Sequence, residues 1–168
     1  MGFLDKIRGD GAALPPLAPS LVISLASLGG AVAIAAVAVA GQSLDIALIL
    51  GSFGASCVLL FGFPDVPFSQ PRNVVGGHFV SSLIGLAFLT ILGPGWWSLS
   101  LAVGTAIAAM MLLRTVHPPA GSNPVIVFTT HPSWSFLWFP TLTGAMLLVL
   151  VALVYLNATR VQRYPKYW

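Results

Sequence analysis

Thr115-Val116-His117-Pro118-Pro119-Ala120-Gly121-Ser122-Asn123-Pro124 lies between two strongly apolar stretches, and its reading decides the fold. Three prolines within the eight residues from His117 to Pro124 are incompatible with a regular helix. Each lacks a backbone donor, and its ring clashes with the preceding turn. The carbonyls they free fall at or near membrane depth, with His117 and Arg114 beside them. Non-helical backbone is tolerated at that depth only where protein buries it or where it lines a water-filled cavity. The segment is therefore the first candidate for a place where something polar is handled, and Pro118, Pro119 and Pro124 frame it.

The composition is that of a membrane-embedded chain. Of 168 residues, 57% are hydrophobic and 7% charged, with a mean hydropathy of +0.95. A soluble domain carries about 25% charged residues. Lys6 and Arg8 lie near the start, Arg160, Arg163 and Lys166 near the end, and only Arg72 and Arg114 between. Basic ends beside hydrophobic spans are topology signals, not a nucleic-acid surface. Both termini are expected in the cytoplasm, which makes the number of crossings even, and no nucleic-acid partner is expected. Cys57 is the only cysteine, so one chain forms no disulfide framework. Met1 to Pro19 shows neither a cleavable signal nor a transit pattern, which favours a prokaryotic inner membrane or an organellar protein in mature form.

The expected architecture is an all-α integral membrane protein: residues 1–18 as a cytoplasmic segment, 19–158 as the membrane domain and 159–168 as a basic cytoplasmic tail. Four spans stand out, Leu21–Ala40, Val74–Leu92, Ser98–Leu113 and Leu137–Leu156, each near the length that a ~30 Å core requires. Gly41-Gln42-Ser43 is expected to turn the chain after the first. Two further stretches, around Gly54 and Gly121, are each a broken crossing or a re-entrant hairpin. Six crossings would put both Arg72 and Arg114 on the cytoplasmic side.

A shift of 67 residues aligns Gly54–Phe61 with Gly121–Phe128, with Gly, Val and Phe coinciding. Internal symmetry of this kind is common in transporters. In physical terms, helix breaks are expected at Gly54–Ser56 and His117–Asn123. Ser56 and Asn123 would then be N-caps opening half-helices at Cys57–Phe63 and Pro124–Thr130. In an inverted repeat the two half-helix N-termini converge, and their unpaired N–H groups suit a small anion.

Arg72 and Arg114, the interior cations, are expected to face one polar cavity, against the plainer reading that they mark topology. Asp45 is expected to complete a helix N-terminus. His78 and His117 match no metal-binding pattern, so no metal or cofactor is expected. Gly77, Ser81 and Gly85 recur every four residues, as do Gly104 and Ala108, a spacing that signals close helix packing. No nucleophile–base pair or carboxylate dyad is evident, so the chain is not expected to be an enzyme.

Three blocks carry a family resemblance: Phe53-Gly54-Ala55-Ser56-Cys57-Val58-Leu59-Leu60-Phe61, Gln70-Pro71-Arg72-Asn73-Val74-Val75-Gly76-Gly77-His78, and His117 to Pro124. From about Leu17 to Leu156 the chain resembles the small integral membrane proteins named for their His-Pro-Pro motif. Members in cyanobacteria and the plastid envelope look like nitrite transporters, and the family is usually described with four spans. The resemblance implies transport of a small monovalent anion, nitrite first, and a bacterial inner membrane ahead of the plastid envelope. The candidate substrate-binding set, from these blocks and the interior arginines, is Gly54, Ala55, Ser56, Arg72, Asn73, His78, Arg114, His117, Gly121, Ser122 and Asn123. The expected partners are nitrite, the lipid bilayer and further copies of the chain in a homo-oligomer. Two alternatives stand beside this: an anchor or assembly subunit that transports nothing, and a neutral-solute channel suggested by Asn123-Pro124-Val125.

Overall fold

The computed structural model describes residues 2–7 and 10–168; Arg8, half of the basic N-terminal pair, lies outside them. The elements in order are α1 (Phe3–Ile7), α2 (Ser20–Leu44), α3 (Phe53–Cys57, prolonged by a π-helical turn at Val58–Gly62), α4 (Pro71–Leu92), α5 (Trp96–Leu112), α6 (Asn123–Thr130) and α7 (Thr143–Thr159). A 3-10 turn at Pro118–Ser122 precedes α6, and turns at Trp134–Leu137 and Trp138–Leu142 lead into α7. No strand occurs among the described residues. Among the described residues, three helical stretches are long and apolar enough to cross a membrane: Ser20–Leu44, Pro71–Leu92 and Trp134–Thr159. The fourth expected span, α5, has 17 residues. At about 1.5 Å per residue it rises roughly 26 Å, short of the ~30 Å core.

Local chemistry moves several boundaries. The expected turn at Gly41-Gln42-Ser43 is helical, because α2 runs on to Leu44. Asp45 stops it in the left-handed region (φ 53°), its N–H reaching back to Gln42 and Gly41. Asp45 thus closes a helix instead of opening one, a role its short polar side chain tolerates. The break expected at Gly54–Ser56 lies earlier, across Ala47–Ser52, and helix is continuous through Gly54–Ser56. Gly54 and Ser56 keep their backbone donors, and one glycine in a helix costs only about 1 kcal/mol, which packing offsets. Pro71 opens α4 three residues before the expected start, at a position where its absent N–H costs nothing.

Contacts order the elements along the bundle. Phe53 packs where a Cβ on Gly144 would sit, and Phe61 lies edge-on to Tyr155 at 5.7 Å between centroids, so α3 runs parallel to α7. Tyr155 Oη donates to the Leu25 carbonyl at 2.8 Å, so α2 runs against both. The HPP segment and α6 climb along α4: His117 meets Gly77, Ser81 bonds the Ala120 carbonyl, and Gly85 meets Pro124. α3 and α6 therefore start close together and run in opposite directions. Displaced by 67 residues, the helix ends Leu44, Gly62 and Leu92 fall at 111, 129 and 159, where Leu112, Thr130 and Thr159 end their helices.

Between lipid-bathed helices, packing and hydrogen bonds replace the hydrophobic drive, so small residues decide how closely backbones approach. A Cβ on Gly77 would lie 2.8 Å from His117 Cβ and from the Thr115 carbonyl oxygen; one on Gly85 would lie 2.9 Å from Pro124 Cα. Gly104 and Ala108, by contrast, face outward, and nothing lies within 4 Å of a Cβ on Gly104. Their packing role is not used within one chain.

The C-terminal residues fold back over the loop before α4. Asp65 pairs with Arg160 and, at 3.1 Å, with Lys166. Tyr164 Oη donates to the Ser69 carbonyl at 2.8 Å, and the Lys166 N–H to Gln70 Oε1 at 2.7 Å. Burial raises the Tyr164 phenol above its ordinary range, which keeps it a donor at any physiological pH. Burial alone would raise Asp65 too, but hydrogen bonds from Arg160 and Lys166 and their charges outweigh it, leaving the carboxyl below its usual value.

Two outcomes follow from these contacts. Gly77→Ala should destabilise the fold by ~1–3 kcal/mol through backbone displacement, whereas Gly104→Ala should be neutral or stabilise by up to ~1 kcal/mol. Unfolding of both variants in detergent, side by side, checks this. The Asp65 pairs contribute fully above the ordinary carboxylate value of ~3.9, and that contribution is lost as pH falls through the lowered folded value. As exposed pairs they are worth ~1 kcal/mol at most, so Asp65→Asn at neutral pH should speed amide exchange at Tyr164 and Lys166 by about fivefold or less.

Candidate functional site

α4 presents two adjacent stripes at four-residue spacing. Asn73, Gly77, Ser81 and Gly85 receive the broken segment, while Val74, His78, Ser82 and Leu86 face the interior; all eight are buried. In the first stripe polar and glycine positions alternate for a reason. The glycines let the Thr115–Pro124 backbone approach, and the polar side chains satisfy carbonyls left without helical partners. Asn73 Nδ2 donates to Val116 O at 2.9 Å and Ser81 Oγ to Ala120 O at 2.6 Å. Ser122 Oγ takes the Pro119 carbonyl at 2.8 Å from within the segment.

The second stripe meets α3 and α6 in a cluster with no solvent access: Ser56, His78, Ser82, His117, Asn123 and Thr141 are each 0% exposed. Its hydrogen bonds have definite directions. His117 Nδ1 lies 2.6 Å from Phe68 O, a carbonyl that only accepts, so Nδ1 carries the proton and the neutral ring accepts at Nε2. Ser56 Oγ, 2.9 Å from that Nε2, therefore donates to it. Asn123 Nδ2 faces the His78 carbonyl, Ser82 Oγ and His78 Nδ1 at 3.3, 2.9 and 3.1 Å, which identifies Nδ2 as the amide nitrogen and His78 Nδ1 as an acceptor. His78 then carries its proton on Nε2 and donates to Ser56 Oγ at 2.9 Å.

The result is one directed chain, Asn123 to His78 to Ser56 to His117 to the Phe68 carbonyl. Ser52 Oγ closes it by donating to Asn123 Oδ1 at 2.8 Å, and Ser82 reaches Thr141 at 3.2 Å. The imidazoles sit edge to face at 5.0 Å, and Phe53 lies against His78 at 5.2 Å. Every polar side-chain atom of the cluster is paired; among the described residues only Thr115 Oγ1 and Arg160 Nη1 are buried without a partner. No group of three His, Cys, Asp or Glu residues able to hold a metal occurs among the described residues.

Of the expected binding residues, Ser56, His78, His117 and Asn123 come together here, and Asn73 lies one stripe away. Gly54, Ala55 and Ser122 face outward and Gly121 is half-buried, so these four do not join the cluster. Ser56 is not an N-cap: its N–H bonds Ser52 O at 3.1 Å inside the helix. Asn123 is the first helical residue, after Ser122, and its side chain bridges elements instead of capping. Nor do Arg72 and Arg114 face a shared cavity. Both are exposed at the α5 end of the bundle, where Arg72 Nη2 takes the Leu113 carbonyl at 3.1 Å and Arg114 adopts φ 56°. A cation at a helix C-terminus complements the unpaired carbonyls there. Ser52, Ser82 and Thr141 carried no motif; for Ser82 the signal was its spacing of four from His78.

The sequence shows no linear nucleophile–base motif, yet the fold brings Ser56 Oγ against two imidazoles. An all-helical bundle with three membrane-length apolar helices, built round a His-Pro-Pro break, defines a class of integral membrane protein. The family model "HPP, transmembrane region" matches residues 15–165, and the chain belongs to that family. A transmembrane protein of Dictyostelium discoideum is 36% identical over 129 residues, 72% of this chain and 45% of its own length. A second from the same organism is 36% identical over 128 residues, 71% of this chain and 41% of its own length. The chain thus spans less than half the length of these curated relatives. No solved structure matches it.

Asn123→Ala removes the donors and the acceptor that link Ser52, His78 and Ser82, leaving buried polar atoms unpaired at ~1–3 kcal/mol each. It should therefore destabilise the protein well beyond the ~1 kcal/mol of a lost cap. Ser122→Ala, losing one part-buried bond, is the comparison, read by unfolding in detergent.

Proposed function

We propose that this protein moves a small monovalent anion, nitrite first, across a bacterial inner membrane by way of the His78–Ser56–His117–Asn123 cluster. The observation that carries this reading is a fully buried, fully paired polar cluster at the meeting point of two oppositely running broken segments. Polar groups inside a membrane domain are expensive and mark solute pathways, and transporters place their sites where discontinuous helices of inverted repeats meet. The matching helix ends of the two halves support such a repeat. In this topology α2, α4, α5 and α7 cross, α5 within a locally thinner bilayer, and α3 and α6 with their extended leads make two broken crossings. Arg72, Arg114 and the C-terminal basic residues then share the cytoplasmic end. Nitrite is small enough for a few hydrogen bonds to replace much of its hydration, and weak binding lets it leave again. The cluster is sealed in this conformation, so transport requires α3 and the HPP segment to part.

Purified protein in liposomes should take up nitrite faster than protein-free vesicles, with nitrate, formate and chloride as comparisons. Absence of flux for all four sinks the reading and favours the assembly-subunit alternative. A second reading rests on the same 2.9 Å contact, since Ser56 donating to a carbonyl-oriented His117 has the geometry of a nucleophile–base dyad. Labelling of Ser56 by a fluorophosphonate would favour hydrolysis over transport.

A further inference from the structure

Ser56 has one hydroxyl hydrogen and two acceptors in reach, His117 Nε2 at 2.9 Å and the Ser52 carbonyl at 3.2 Å. We propose that this hydroxyl is a rotor that lets the cluster load one proton onto His117, and that the proton travels with the anion as an electroneutral pair. The proposal rests on the anion-transport reading and adds its coupling ion.

In the neutral arrangement Ser56 accepts from His78 Nε2–H and donates to His117 Nε2, leaving the Ser52 carbonyl with only its helical N–H. When a hydronium ion admitted to the cluster breaks one O–H bond, leaves as water and gives its proton to the His117 Nε2 lone pair, the direction of that contact must reverse. Ser56 Oγ has a second lone pair to accept the new N–H, and its own hydrogen turns to the Ser52 carbonyl. Once the cluster has opened to admit the proton and closed again, the reversal itself moves no heavy atom from its place and loses no bond: His78 and His117 both donate to Ser56, Ser56 donates to Ser52, and His117 Nδ1 keeps Phe68. The step adds one proton and one positive charge, and nothing is oxidised or reduced. A serine with a single acceptor would leave two donors facing each other.

Among the described residues no counter-ion faces the added charge. From α4 the group facing His117 is His78, from α3 it is Ser56, and from the loop before α4 it is the Phe68 carbonyl. Cys57 follows Ser56 in α3, and Tyr164 is tied to the Ser69 carbonyl next to Phe68. Neither carries negative charge as a neutral thiol or phenol. Asp65 is committed to Arg160 and Lys166 at the surface, and Arg72 and Arg114 are exposed. A buried cation without a partner is costly, so the proton is retained only when an anion arrives with it. This couples the two ions without a carboxylate.

The test uses the full chain in liposomes with trapped pyranine, nitrite as probe, and the membrane potential clamped with valinomycin. Nitrite addition should acidify the lumen faster than in protein-free vesicles, and an external pH one unit lower should raise nitrite accumulation about tenfold, the equivalent of ~1.4 kcal/mol. His117→Gln should abolish the acidification, with at least a tenfold loss of pH-driven uptake. Uptake that follows membrane potential and ignores the pH gradient would overturn proton coupling while leaving anion transport standing. Unchanged pH-driven uptake in His117→Gln would take the proton off this histidine and overturn the proposal. No uptake of any anion by the wild type removes both readings. Should the variant fail to reach the membrane, the wild-type response to pH gradient against potential still decides.

Discussion

Pro118, Pro119 and Pro124 withdraw three backbone donors from one short stretch, and the carbonyls left behind have to be paired inside a bundle that excludes water. The rest of the structure depends on that demand. α4 meets it with side chains from one face, Asn73 for Val116 and Ser81 for Ala120. Glycines between them bring the two backbones close enough for those short side chains to reach. The next face of α4 carries His78 and Ser82 toward Asn123. One helix thus sets both the path of the broken chain and the position of its polar groups. A larger side chain at Gly77 or Gly85 would disturb the two together.

The proline break was readable because a missing N–H is a local, chemical fact: helix is absent through Thr115–His117 and resumes at Asn123, one residue before the expected start. The first break was misplaced because it has no such marker. Ala47–Leu50 is non-helical with Leu48 and Leu50 buried, a tertiary preference that composition does not display. The same limit applies to the site. His117 and Asn123 were legible from their motif, and the 67-residue offset pointed to Ser56, though for the wrong reason. Its value lies in a hydroxyl aimed at residues 22 and 61 positions away, not in an N-cap. Sequence separation of that size is invisible without the fold. Arg72 and Arg114 drew attention as the sole interior cations, but helix ends attract arginine for their carbonyls alone.

The charged and the neutral polar groups are segregated. Asp65, Arg160, Lys166, Arg72 and Arg114 occupy the exposed end where the tail folds back, whereas the interior cluster contains only neutral hydrogen-bonding groups. Neutral networks can be sealed without a counter-ion, which explains how six fully buried polar residues coexist with a membrane environment. Burial of a permanent charge at the same place would have required a partner in every conformation.

The two broken segments are not held alike. The HPP segment and α6 are fixed to α4 by backbone-level contacts at Gly77 and Gly85 and by the Asn73 and Ser81 bonds. α3 is tied to the cluster through the side chains of Ser52 and Ser56, while Gly54, Ala55 and Val58 face outward and its second half is a π-helical turn. Between α3 and α2 a cavity of about 520 Å³ is lined by Gly30, Ile34, Gly54, Cys57 and Gly62. Side-chain hydrogen bonds can be exchanged for water as they open, whereas carbonyls freed from α4 would be left at membrane depth. α3 has close contacts of its own, Phe53 over Gly144 of α7 and Phe61 over Gly29 of α2, so the two broken segments differ in the helices that hold them: α4 for the HPP segment, α2 and α7 for α3.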